Sequence, residues 1–175
     1  QNDSKMIAYY WFMEDLTVTQ MHPEWVCKDV KGKEVIGKRD KYPCINNPEY
    51  RTLVKNRLVE LLEMGVEAFY FDEQHMPKEG CWCEYCKADF KAITGYDAPK
   101  AMDVNDPLYR IYLYYRNSCV ESAFADLSDE LHSKNKNAVL VISTTVVPTL
   151  LNNTMTTNLS RVADAPKNEY EIALK

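Results

Sequence analysis

Three apolar runs of strand length punctuate the chain: MIAYYWFM (Met6–Met13), VEAFYFDE (Val66–Glu73) and AVLVISTT (Ala138–Thr145). None shows a clean alternation of polar and apolar residues, so each is expected to be a strand covered on both faces. A weaker fourth run, SRVADAP (Ser160–Pro166), is followed by a segment where a helix is expected to begin near Lys167. Between the strands lie helical segments with clear start and stop signals. Asn47 is placed to cap a helix whose first position is Pro48, and Tyr50, Leu53, Val54, Leu58, Leu61 and Leu62 share its apolar face. Gly65 stands where a left-handed C-terminal cap is wanted, immediately before the second strand. Asp106 and Pro107 open the longest helix, with Leu108, Ile111, Tyr112, Tyr115, Cys119, Leu127 and Leu131 on its buried side. A shorter helix carrying Cys86, Phe90 and Ile93 on one face is expected to stop near Gly95.

Strand, helix, strand, helices, strand is the rhythm of parallel strands joined by crossover helices. Both a doubly wound sheet and a segment of a closed barrel have it. A complete barrel takes about 250 residues, and this chain has 175. The expectation is a single α/β domain over residues 1–175, built of parallel β/α units that form part of a (β/α)8 TIM-type barrel. The stretch from Glu14 to Asn47 has no strong period, apart from an expected turn at Lys31–Lys33, and a segment this long is usually functional or locally structured.

The net charge of −5 comes without a basic cluster, which argues against nucleic acid as a partner. No apolar run approaches the roughly 20 residues of a membrane span. The opening QNDSKM has no signal-peptide core, but cleavage of a signal would leave the same start, so the compartment, cytoplasmic or exported, stays open. Twelve tyrosines and three tryptophans suit core packing and sugar-binding walls equally well.

Chemistry concentrates in FDEQHMPKEGCWCEYC (Phe71–Cys86). Cys81, Cys83 and Cys86 stand at C-x-C-x-x-C spacing, which suits a tetrahedral zinc that takes its fourth ligand from elsewhere. Cys44, just ahead of the capped helix, is the first choice for that ligand, Cys27 the second and His75 the third. Disulfides and free thiols are the rival readings, and Cys119, on an apolar helix face, is expected to be inert core. Asp72 and Glu73 emerge where the second strand ends, which is where barrels and open α/β sheets place their chemistry. Neighbouring carboxylates at such a rim can be driven to different protonation states. Structurally, Asp72 could instead cap a turn and Glu73 pair with Lys78 or Arg51. Trp11 near the end of the first strand, His75 and Asp164 are the candidate substrate contacts. Ser143, Thr144 and Thr145 are further hydrogen-bond donors at the end of the third strand.

The segment GVEAFYFDEQHMPKEGCWCEYCKADFKAITG, with NNPEYRTLVKNRLVELLEM before it, resembles the glycoside hydrolase-like barrels related to the family-42 β-galactosidases and to hypothetical glycosyl hydrolase families. The resemblance implies a carbohydrate substrate, Glu73 as general acid/base, and a structural zinc on Cys44, Cys81, Cys83 and Cys86. It also implies a nucleophile on a later strand, beyond Lys175. The family has Asn before the acid/base, whereas this chain has Asp72; in α-fucosidase-like barrels an aspartate at this strand end is the nucleophile. The expectation is therefore a glycoside hydrolase with a braced active-site rim. Its rivals are a non-catalytic carbohydrate-binding or scaffolding barrel and a zinc or redox cysteine module. Uncovered edges of a partial barrel are expected to favour homo-oligomers.

Overall fold

A computed structural model describes residues 6–72, 76–144 and 164–168. Strand β1 (Met6–Tyr10) leads through helix α1 (Leu16–Met21) and a single 3-10 turn at Pro23–Trp25 to helix α2 (Pro48–Glu63). Strand β2 (Val66–Phe71), helices α3 (Glu84–Thr94) and α4 (Pro107–Lys134), and strands β3 (Val139–Thr144) and β4 (Ala165–Asn168) follow. The strands form one sheet in the order β1-β2-β3-β4, with each neighbouring pair parallel.

That order bears on the two expected architectures. A doubly wound sheet reverses direction at a switch point and carries helices on both faces, whereas here each strand is added on the same side of the last. Helices α2 and α4 also lie on one face. Tyr10 and Phe71, register partners, contact each other edge to face. Phe71 packs against Phe124 of α4 at 5.3 Å, and Arg57 of α2 reaches the Tyr10 hydroxyl at 3.0 Å. Leu140 and Ile142 of β3 are buried on that same face. Sequential parallel strands with helices on one side are the plan of a (β/α) barrel segment.

The other face is open among the described residues. Met6, Ile7 and Tyr9 are at least half exposed, contrary to the expectation that β1 is covered on both sides. Its apolar run is the run of a barrel strand, but among the described residues no further strand pairs along its outer edge.

Most local signals hold. The Asn47 carboxamide oxygen accepts from the Glu49 and Tyr50 amides, Asp106 caps α4 through Leu108, and Gly65 and Gly95 have positive φ at the ends of α2 and α3. The Lys31–Lys33 turn forms over Asp29, whose carboxylate accepts from both amides at 2.8 Å. Ile93 and Ile111 are exposed rather than buried. On α4 the buried stripe drifts with the 3.6-residue period onto Arg116, Val120, Ala123 and Phe124 instead. The fourth strand is displaced: it begins at Ala165, near the end of the run expected to form it, and Lys167 lies in the strand rather than at a helix start. Residues 160–163 lie outside the described residues.

Candidate functional site

Two clusters sit at the same end of the sheet. The first is built by strand register. Tyr9 pairs with Tyr70, and their rings stack at 5.3 Å on the face away from α2 and α4. Two residues further along each strand, on the same face, come Trp11 and Asp72. Asp72 is tied to β1 through its amide, 3.3 Å from the Tyr10 carbonyl. The Tyr9 hydroxyl donates to the Asp72 carboxylate, and the Trp11 indole N–H donates to the Tyr9 oxygen at 3.0 Å. Partial desolvation, and then the bond to Asp72, hold the Tyr9 phenol above its ordinary value. The Arg39 guanidinium lies 4.0 Å from the centre of the Trp11 ring. A groove of about 640 Å³ runs from Tyr9, Trp11, Arg39 and Asp40 towards α2, where Tyr10, Asp15, Arg57 and Leu61 line it; Asp72 is not part of its wall. Ser143 is level with Asp72, because Phe71 and Ile142 are register partners.

Trp11 and Asp72 are thus brought together, through a tyrosine that no sequence motif marks. Glu73 and His75 lie outside the described residues, as does Thr145. Asp164 does not join the Asp72 end. It precedes β4, accepts from the Leu140 amide at 2.7 Å, and stands 3.4 Å from His132 near the end of α4. The displaced strand explains this: a residue expected at the exit of β4 stands before its start.

The second cluster gathers Cys44, Cys81, Cys83 and Cys86, whose sulfurs all lie within 4.8 Å of one another. Cys44 is brought in by the turn that ends at the Asn47 cap, and α2 starts at the carboxyl end of the sheet because it must run back to begin β2. Cys83 is the N-cap residue of α3, and Cys86 lies in its first turn. Helix α4 clamps this segment: Tyr112 donates to the Cys81 carbonyl, the buried Arg116 donates to the Pro77 carbonyl at 2.5 Å, and the Tyr115 hydroxyl sits between Asp89 Oδ2 at 2.9 Å and the Cys86 carbonyl at 3.1 Å. Trp82 stacks on Tyr112 at 4.5 Å and donates its indole N–H to the Pro99 carbonyl at 2.9 Å.

The donor set fits a metal. The Sγ separations are 3.3 Å for Cys44–Cys83 and 3.6 Å for Cys44–Cys86. A disulfide needs about 2.05 Å, whereas four sulfurs at about 2.3 Å from one zinc stand about 3.8 Å apart. The thiols also compete for protons. Bonds from Cys27, Cys83 and Cys86 draw the Cys44 thiol down to about 6, and Cys81 is drawn down by its neighbours in the same way. Cys83 and Cys86, which give those bonds, are pushed up. All four can be thiolates together only around a cation. Cys27, the second choice, is buried beside Cys44 and Cys81 with its sulfur 3.6 Å from the Pro43 carbonyl, but outside the set of four.

Sequence reasoning also missed Asn46. Its Nδ2 faces Tyr115 Oη at 2.8 Å, Cys119 Sγ at 3.0 Å and Cys86 Sγ at 3.5 Å. Cys119 is core, as expected, and burial raises its thiol to about 12. No helix among the described residues is long and apolar enough to cross a membrane.

No protein-family profile matches the sequence, and no curated protein matches it. Solved structures do. A polyextremophilic β-galactosidase from the Antarctic haloarchaeon Halorubrum lacusprofundi superposes with TM-score 0.75 at 12% identity, covering 94% of this chain and 30% of that one. A β-galactosidase from the psychrophilic Marinomonas ef1 gives 0.71 at 14% identity over 94% of this chain and 30% of that one. The α-L-fucosidase isoenzyme 2 from Paenibacillus thiaminolyticus gives 0.60 at 14% identity, covering 79% and 20%. The likeness is one of fold, distant in sequence, and the chain spans less than a third of the length of each of these structures.

Proposed function

We propose that the chain is the part of a glycoside hydrolase barrel that carries a carboxylate rim and its metal brace. The observation that carries this reading is the placement of Asp72 at the exit of β2, joined through Tyr9 to the half-exposed Trp11, at the end of the sheet where barrels do their chemistry. Trp11 offers a ring on which a sugar can stack, and the groove beside it offers room. Glu73, next in sequence, is the proposed general acid/base. It would protonate the leaving oxygen of a glycosidic bond and, in a retaining enzyme, then take a proton from the attacking water. Asp72 would orient a sugar hydroxyl or serve as the nucleophile. The fold likeness to β-galactosidases and an α-L-fucosidase supports a carbohydrate substrate.

Cys44, Cys81, Cys83 and Cys86 would hold zinc as four thiolates. A site closed by four protein ligands leaves no position for substrate, which is the structural pattern. Its work here would be to fix the Cys81–Cys86 loop, which follows the rim in sequence, against α2 and α4.

The test is cleavage of a panel of aryl β-galactosides and α-L-fucosides by the intact protein, beside Asp72→Asn. Cleavage that falls at least tenfold in the variant supports the reading. Saturable sugar binding with no turnover moves the protein to the non-catalytic class, and neither binding nor turnover on any sugar overturns it.

A further inference from the structure

We propose that Tyr9 is a positioning residue for Asp72, holding its carboxylate as a hydrogen-bond acceptor and coupling it to the Trp11 platform. This rests on the proposed role of the Asp72 rim and adds a residue to it.

The direction of the chain of bonds follows from donor chemistry. An indole N–H can only donate. Because Trp11 Nε1 lies 3.0 Å from Tyr9 Oη, the Tyr9 oxygen is the acceptor there, and its single hydrogen is left for another partner. That partner is Asp72 Oδ2. The order is N–H to O–H to carboxylate, in which each bond polarises the next and the terminal oxygen is best served by a negative charge. With Asp72 ionised, the Tyr9 hydroxyl is the donor of this pair.

The phenol ring, though half exposed, has two aromatic neighbours. It stacks on Tyr70 at 5.3 Å and meets Trp11 edge to face at 5.9 Å, so the hydroxyl is aimed by packing on two sides. The Arg39 guanidinium on the Trp11 ring steadies the far end of the chain. A shift of the Trp11 platform changes the bond it donates to Tyr9, and with it the bond from Tyr9 to the carboxylate. Sugar stacking on Trp11 and the orientation of Asp72 are therefore coupled through Tyr9. The groups that face the Tyr9 phenol are Asp72 and Tyr70 of β2 and Trp11 of the following loop.

The inference is tested with Tyr9→Phe, which keeps both ring contacts and removes only the hydroxyl, in the intact protein. Loss of one hydrogen bond to a charged group predicts a fall in kcat of roughly ten- to a hundredfold, with KM changed by less than about threefold because the stacking surface survives. A second readout needs no turnover. The absorbance titration of wild type minus Tyr9→Phe isolates this phenol, which should ionise above its ordinary value and move back towards it in Asp72→Ala. If Tyr9→Phe matches wild type in kcat where Asp72→Asn is impaired, Tyr9 does not position the carboxylate. If the phenol titration is indifferent to Asp72, the bond itself is absent and the inference fails, whether or not any glycoside is cleaved. If the phenol responds to Asp72 while Asp72→Asn cleaves normally, the positioning stands and the rim's catalytic role falls.

Discussion

Tyr10 and Tyr9 are adjacent in sequence and do opposite work, because successive strand residues face opposite sides of the sheet. Tyr9 points to the rim. Tyr10 points to α2, where its hydroxyl lies 3.0 Å from Arg57 and 3.1 Å from Asp15, itself the N-cap of α1 and 2.6 Å from Arg57. Burial first, then the Asp15 charge, hold the Tyr10 phenol up at about 12 against an ordinary 10. Between these values the unfolded chain has lost its proton and the folded chain has kept it. This contribution to stability is therefore whole below pH 10 and declines as pH rises towards 12. Denaturant unfolding of wild type and Tyr10→Phe should show the wild type losing about 2 kcal/mol more over that window. Equal losses would mean that Tyr10 ionises as freely folded as unfolded. Caps and turns could be read in the sequence because each depends on a residue and its next few neighbours. Tyr9 could not, since its partner is 63 positions away and is set by register.

At the scale of elements, the cysteine segment was the most legible part of the chain. Thiol spacing over six residues survives any uncertainty of fold, and the upstream Cys44 follows once α2 is known to return to the start of β2. What could not be read was the clamp from α4, because Tyr112, Tyr115 and Arg116 look like ordinary members of a long aromatic helix. The displaced β4 has a related cause: four residues give little period to read, and the pairing of Val141 with Ala165 sets where the strand begins. Purified protein is expected to carry about one zinc per chain, and chelation should loosen residues 76–86 in hydrogen exchange while leaving the core of α2 protected. Metal-free protein with linked cysteines by mass spectrometry would contradict the thiolate site.

For the molecule as a whole, strand order and the fold likeness to solved β-galactosidases favour a barrel segment where composition and rhythm left two plans open. Helix–strand alternation is common to doubly wound sheets and barrels, and the order β1-β2-β3-β4 with α2 and α4 on one face is the barrel's plan. Among the described residues, the cost of that plan is a largely exposed inner face, with Ile7 at 67%, Tyr9 at 55% and Val139 at 37% exposure. On its own the 175-residue chain should self-associate through this face or through the open edge of β1. Sedimentation should show concentration-dependent species, and a stable monomer at high concentration would mean that the face is covered in some other way.

The chemistry proposed for the rim is most directly tested by Glu73→Gln in the intact protein, assayed on glycosides with good and poor leaving groups. Removing an acid that protonates the leaving oxygen should slow poor leaving groups most and spare an activated aryl glycoside in its first step. Azide should then restore turnover of the activated substrate, since a small anion can take the place of activated water in a retaining enzyme. Equal rates for Glu73→Gln and wild type on the poorest leaving group would contradict acid/base catalysis by this rim.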